Sequence, residues 1–174
     1  MRLCPYYRFR SGDRVTATHW EEAMEECRGW LGSARVWLNR GDLGLGHERV
    51  CAWHEAKAGR PHYLFGLKLT ANVKRAIVAV PDHAWQGPGP LDILQVAEMT
   101  LRLPDWSWAG RVVAGALPGA SEHRGGGTVW EEAQHEFEAY VTSLPAKEVI
   151  AWQVIELYHT LGRLPEPEST HKFC

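Results

Sequence analysis

The stretch RVWLNRGDLGLGHERVCAWHEAKAGRPHYLFGLKLT, residues 35–70, decides the fold class. Arg35-Val-Trp-Leu-Asn39 is a compact apolar run that reads as a strand and passes into Arg40-Gly41-Asp42. Gly44 and Gly46 follow. From Glu48 to Ala58, the residues Val50, Cys51, His54 and Ala58 share one helical face, and Gly59-Arg-Pro61 ends the helix. Tyr63, Phe65, Leu67 and Leu69 then alternate with Leu64, Gly66 and Lys68, the period of a second strand. Strand, helix and strand in this order predict an α/β sheet with helices packed on it. Asp42 thus falls at the carboxyl end of a strand, where such sheets place their ligands.

The alternation extends in both directions. Before the stretch, Tyr6 to Arg10 reads as a strand closed by the turn Ser11-Gly12-Asp13. Thr18-His-Trp-Glu21 has capping-box spacing, and Trp20, Met24, Cys27 and Leu31 form the apolar stripe of a helix stopped by Gly32. After it, Asn72 is placed to cap a short helix with Val73, Ile77 and Val80 inward, ended by Pro81. Gly87-Pro-Gly-Pro90 breaks the pattern. Gln95, Ala97, Met99, Leu101 and Leu103 alternate as a strand, and Arg111 to Leu117 makes its partner. Trp106 and Trp108 lie in the connection as expected surface contacts, and Gly125-Gly-Gly127 closes the region. This predicts a β-rich insertion over about residues 88–127. Phe137, Ala139 and Val141 form a further strand, and Pro145 is placed to start a helix whose stripe is Ile150, Val154 and Leu157. Residues 161–174 carry two prolines and no period, and are expected to be a disordered tail.

Composition narrows the class without naming a chemistry. The 174 residues are 45% apolar and 23% charged, enough for the core of one domain. The longest apolar run, Ala76 to Val80, is far short of the ~20 residues of a membrane span. The start has no apolar leader run. Cys4, Cys27, Cys51 and Cys174 are widely spaced, against both a zinc ribbon and a disulfide scaffold. A net charge of −2 gives the whole chain no bulk attraction to nucleic acid. These features predict a soluble cytoplasmic protein with no membrane partner.

Asp42 is the leading candidate for chemistry. One carboxylate binds Mg²⁺ poorly, whereas two or three converging carboxylates hold a pair of ions for in-line phosphoryl transfer. An Asp after a strand is more often a turn residue, and Arg40-Gly41-Asp42 at a strand end does not read as an adhesion motif. Of the nine histidines, His47 and His54 are candidates to share a helix face, but no ligand-spaced partner accompanies them. Lys68, Lys74 and Arg75, with Arg60 nearby, make the one basic concentration, read first as a solvated face and second as phosphate contacts. Trp20, Trp30 and Trp152 lie in apolar helical patterns and are expected in the core. There is no Walker loop, dinucleotide fingerprint or nucleophile elbow.

Several segments together resemble bacterial insertion-sequence transposases of the DDE class. They are Arg8-Phe-Arg-Ser-Gly-Asp-Arg-Val-Thr-Ala17, Val36-Trp-Leu-Asn-Arg-Gly-Asp-Leu-Gly-Leu-Gly-His-Glu48 and Tyr63-Leu-Phe-Gly-Leu-Lys-Leu-Thr-Ala-Asn-Val-Lys-Arg75. Phe137-Glu-Ala-Tyr-Val-Thr-Ser-Leu-Pro145 and Trp152-Gln-Val-Ile-Glu-Leu-Tyr158 continue the likeness, in the family's order, over about residues 8–159. The resemblance implies a ribonuclease-H-like core with a β-rich insertion before its last catalytic helix. It also implies three acids on two Mg²⁺ ions that cut and join DNA at the element's ends. Asp42 matches the second acid, so it carries both the catalytic and the metal assignment.

The other two acids have no clear match. The family's first acid belongs on a strand preceding two more strands before the first helix, and here only Tyr6–Arg10 precedes it; Asp13 sits in a turn. The third acid follows Tyr, two residues, Arg, three residues, Glu, six residues, Lys. Counted from Tyr158, these positions hold Leu161, Pro165 and Lys172, with Glu166 one residue out of register. The expectation is therefore a transposase DDE domain truncated at both ends, without strand transfer of its own. The alternative is a non-catalytic DNA- or subunit-binding protein that inhibits full-length transposase. A third reading is an unrelated α/β enzyme with His47 or His54 as general base near Asp42.

Overall fold

The structure, a computed structural model, describes residues 19–31, 36–87, 95–118 and 135–160. The strand expected at Tyr6–Arg10, the Thr18 cap, the Gly125–Gly127 closure and the tail expected at 161–174 lie outside the described residues.

The described chain is mixed α/β. Helix α1 spans Trp20–Leu31, strand β1 Leu38–Gly41, helix α2 Glu48–Glu55, strand β2 His62–Gly66 and helix α3 Ala71–Val78. Strands β3 (Gln95–Leu101), β4 (Gly110–Pro118) and β5 (His135–Thr142) follow, and then helix α4 (Ala151–Thr160). The five strands form one sheet in the order β1-β2-β5-β4-β3. β1 and β2 are parallel, with Arg40 beside Leu64 and Gly41 beside Phe65. β2 pairs antiparallel with β5, β5 with β4, and β4 with β3.

The expected β region therefore does not stand apart. Val141 lies beside Phe65 on one side and Val112 on the other, so the hairpin β3–β4 is joined edge-on to β2 through β5. β4 is apolar on both faces, with Val112 and Ala114 on one and Val113 on the other, which favours its place between two helical layers.

Alternation along the strands sends side chains to two cores. One face carries Tyr63, Phe65, Leu67, Val112, Ala114, Ala139 and Val141, packed with Val50 and Cys51 of α2 and Val73 and Ile77 of α3. The other carries Leu64, Val96, Val113 and Tyr140 against Val154 and Ile155 of α4. β2 is buried on both faces, the position in which a parallel strand reads as a nearly continuous apolar run.

Local departures from the sequence reading have identifiable causes. β1 begins at Leu38, where its register with β2 starts at Leu38–His62 and runs to Gly41–Phe65; Val36 and Trp37 precede the strand, and Arg35 lies outside the described residues. α3 is capped by Thr70, whose hydroxyl accepts from the Val73 N–H at 3.4 Å; the expected cap, Asn72, instead accepts from Arg75. Pro145 begins a turn and not α4: its carbonyl accepts from the Glu148 and Val149 N–H groups, and the helix starts six residues later, at Ala151. Ile150, expected in the stripe, is thereby left 54% exposed, and Ile155 takes the buried place.

The tryptophans redistribute in the same way. Trp106 is 8% exposed and belongs to the core, with Trp108 packed on it at 5.0 Å between ring centroids, so neither is the expected surface contact. Trp30 is 62% exposed, whereas Trp20 and Trp152 pack against the two cores as expected. Trp30 falls off the narrow face of α1, on which only Met24 is buried.

Candidate functional site

Asp42 follows the last residue of β1 and is exposed. Its backbone carbonyl accepts from the Leu45 N–H at 3.1 Å, and its Oδ1 accepts from the Gly44 N–H at 2.9 Å. The residue thus closes a tight turn with its own carboxylate, the common role of Asp after a strand. The glycines around it serve packing. A Cβ at Gly46 would run into the Gly66 carbonyl oxygen, and one at Gly41 into the Leu45 side chain. Gly46 therefore allows the entry to α2 to lie directly on the end of β2.

Beside this turn lies the end of α4. Arg40, two residues before Asp42, donates from Nη1 to the Tyr158 carbonyl at 2.6 Å and lies 5.0 Å over the Tyr158 ring. That contact ties the carboxyl end of a helix to a cation, which the helix dipole favours. The Tyr158 ring packs tilted against Tyr140, with centroids 4.2 Å apart. The Tyr140 hydroxyl is 3.2 Å from His159 Nε2, which also meets the Glu138 carboxylate at 3.1 and 3.2 Å. Burial pushes the Tyr158 phenol up; Arg40 opposes this, while Asp42 and Glu138 add to it. Burial likewise pushes the Tyr140 phenol up, with Glu138 reinforcing it. Both stay protonated, and the Tyr140 hydroxyl is hydrogen-bonded to His159.

Sequence reasoning missed this cluster. Glu138 is the polar residue between Phe137 and Ala139 in an alternating strand, and His159 ends the α4 pattern. Each is ordinary in its own segment, and only the packing of α4 on β5 joins them.

The other candidates separate. His54 is buried, 5% exposed, among Trp20, Trp53, Tyr63 and Phe65, with ring centroids between 4.9 and 5.8 Å away. Its Nδ1 donates to the Pro61 carbonyl at 2.9 Å, and burial pushes its pKa down to about 4. It sits where α2 ends and β2 is about to begin, whereas Asp42 lies at the opposite end of the parallel pair. His47 caps α2, its Nδ1 accepting from the Arg49 N–H at 3.3 Å. His54 is therefore remote from Asp42, and His47 Nδ1 is engaged as a helix cap.

Lys68, Lys74 and Arg75 are exposed around α3, but Arg60 is not with them. Its guanidinium stacks at 4.0 Å on Trp53 and donates to the Trp53 carbonyl. A surface cavity of 410 Å³ opens beyond the carboxyl ends of β1 and β2, lined by Gly46, His47, Lys68, Asn72, Asp105 and Trp106 among others. Glu48 at its rim accepts from the Ser107 N–H and hydroxyl, both at 2.8 Å, and these hold its carboxyl below the usual range.

Among the described residues no three His, Cys, Asp or Glu side chains converge as metal ligands. Asp42 offers one carboxylate with one oxygen already engaged by Gly44, so the described residues do not fit a Mg²⁺ pair. No helix among them is long and apolar enough to cross a membrane. A scan against protein-family models matches no family, and a search of the curated proteins finds no match.

Proposed function

We propose that this chain is a DDE-transposase-type catalytic domain with a ribonuclease-H-like core, retaining the second acid, Asp42, and acting without catalysis of its own. The observation that carries the reading is the position of Asp42. It follows the first strand of a parallel β1–α2–β2 unit, at the carboxyl end that α/β sheets use for ligands, and the end of α4 packs beside it through Arg40 and Tyr158. The resemblance places its third acid beyond Tyr158 on that same helix, which would bring it toward Asp42. In this sequence the corresponding position holds Pro165. A single carboxylate does not assemble the two-ion site that would stabilise both attacking and leaving oxygens of a phosphodiester.

The chain would then act on transposon-end DNA or on an intact transposase subunit only by binding. The test is to incubate the purified chain with Mg²⁺ and DNA carrying the ends of the element in which its gene lies. The expected outcome is intact DNA, with the chain co-purifying with an intact transposase of the same type. Mg²⁺-dependent nicking that Asp42→Ala abolishes would overturn the non-catalytic assignment. Failure to bind either the DNA ends or the intact subunit would remove the transposase reading itself.

A further inference from the structure

The cavity beyond the carboxyl ends of β1 and β2 lies between the start of α2, the lead into α3 and the connection from β3 to β4. That last wall is fixed by contacts of the chain itself. Glu48, the first residue of α2, accepts from both the N–H and the hydroxyl of Ser107 at 2.8 Å. Arg102 donates from Nε to the Trp106 carbonyl at 3.2 Å, and the Trp106 ring is packed into the core. Walls held in this way lower the ordering cost of binding a ligand between them.

The polar groups of the lining are donors whose acceptors are already engaged. His47 Nδ1 accepts from the Arg49 N–H, so the ring carries its proton on Nε2. The Thr70 hydroxyl oxygen accepts from the Val73 N–H and keeps its own proton to give. The Asn72 amide oxygen accepts from Arg75 at 3.1 Å, which leaves its NH₂ group. Lys68 adds an ammonium, and no carboxylate among the described residues pairs with it. Of the two acids in the lining, Glu48 is engaged by Ser107, and Asp105 alone opposes this charge.

We propose that this cavity binds a phosphodiester of nucleic acid, with Lys68 as the charged contact and Thr70, Asn72 and His47 as hydrogen-bond donors. A lining rich in free donors and poor in free acceptors selects an anion. The net charge of −2 gives the chain no bulk attraction to DNA, so the contact has to be local. Lys74 and Arg75, exposed on α3, extend the positive surface past the cavity. The site rests on the binding reading above only in taking DNA as the source of the phosphate. It carries no sequence preference, because phosphate contacts position a duplex without reading its bases.

The test is an NMR titration of the full isotope-labelled chain with a short duplex of arbitrary sequence at low salt. The amides of residues 46–48 and 68–72 should shift first. Lys68→Gln should weaken the duplex about 10-fold and reduce the salt slope of its affinity by about 1. Asp105→Asn removes the opposing charge and should tighten binding about 3-fold. Both side chains are exposed, so neither change threatens the core. Shifts confined to other surfaces, or an unchanged affinity in Lys68→Gln, overturn the proposal. Weaker binding in Asp105→Asn would assign a cation to the cavity and overturn it too. Inorganic phosphate moving the same amides as strongly as the duplex, at equal phosphate concentration, would replace nucleic acid with free phosphate. If the duplex fills the cavity but the chain neither prefers the element's ends nor joins an intact transposase, the site stands and the transposase reading falls.

Discussion

The two faces of the sheet bury similar apolar side chains but are fastened by different chemistry. The face under α1, α2 and α3 is aromatic and nearly dry, with His54 held neutral inside it. The face under α4 is laced with polar contacts. Arg111 donates to Glu98 and to the Leu144 and Val149 carbonyls, His159 meets Glu138, and Arg40 reaches the Tyr158 carbonyl. Burial of apolar area drives both, yet the first face depends on shape and on the absence of charge. The second depends on which charged ends meet. The Arg40–Tyr158 contact of this face lies beside Asp42, so the end of α4 meets the candidate site through polar groups.

The largest expected effect tests the packed face. Phe65 is fully buried among His54, Tyr63 and Trp20, and Phe65→Ala should cost about 3–5 kcal/mol in urea unfolding. Ile155→Ala on the α4 face should cost less, about 2–4 kcal/mol, because that core is thinner. An Ile155→Ala loss above that of Phe65→Ala would break the distinction between a shape-dependent and a contact-dependent face.

Acid sharpens the comparison next. His54 is held near 4 in the folded chain and near 6.5 when free, so between those values the unfolded chain binds the extra proton. The stability is whole above about pH 6.5, falls as pH drops, and levels off below about 4. The total loss is about 3 kcal/mol, read as a shift in urea midpoint. A midpoint that stays flat between pH 7 and pH 4 would show that the aromatic face tolerates the charge. The smallest effect belongs to the polar face. Arg40→Met removes an exposed cap on the end of α4, and should cost about 1 kcal/mol and lower Tm by about 2–4 °C. A drop several times larger would mean that α4 is held by its end and not by its apolar stripe.

Much of the fold was legible because its elements carry strong local signals. The helical face at α2, the alternation of Tyr63 and Phe65, and the period-two strand at Phe137, Ala139 and Val141 all appear where their spacing predicts. Helix and strand limits moved by a few residues where a partner's register decided the end, as at β1, or where a neighbouring hydroxyl won the cap, as at Thr70 over Asn72. The candidate site was half legible. Asp42 was visible from its place after a strand, whereas Arg40, the Glu138–Tyr140 pair on β5 and His159 come from three separate segments and are unremarkable in each.

By itself the sequence determined the α/β alternation, the inward faces of β2 and β5 and the carboxylate at the end of β1. These follow from periodicity and turn chemistry, which act over a few residues. Tertiary structure alone decided that β3 and β4 extend the sheet through β5, that Trp106 is core, and that His54 is buried and neutral. It also decided that the end of α4 meets Asp42's strand. Each depends on pairing between segments tens of residues apart, and burial, register and desolvation are properties of the assembled layers.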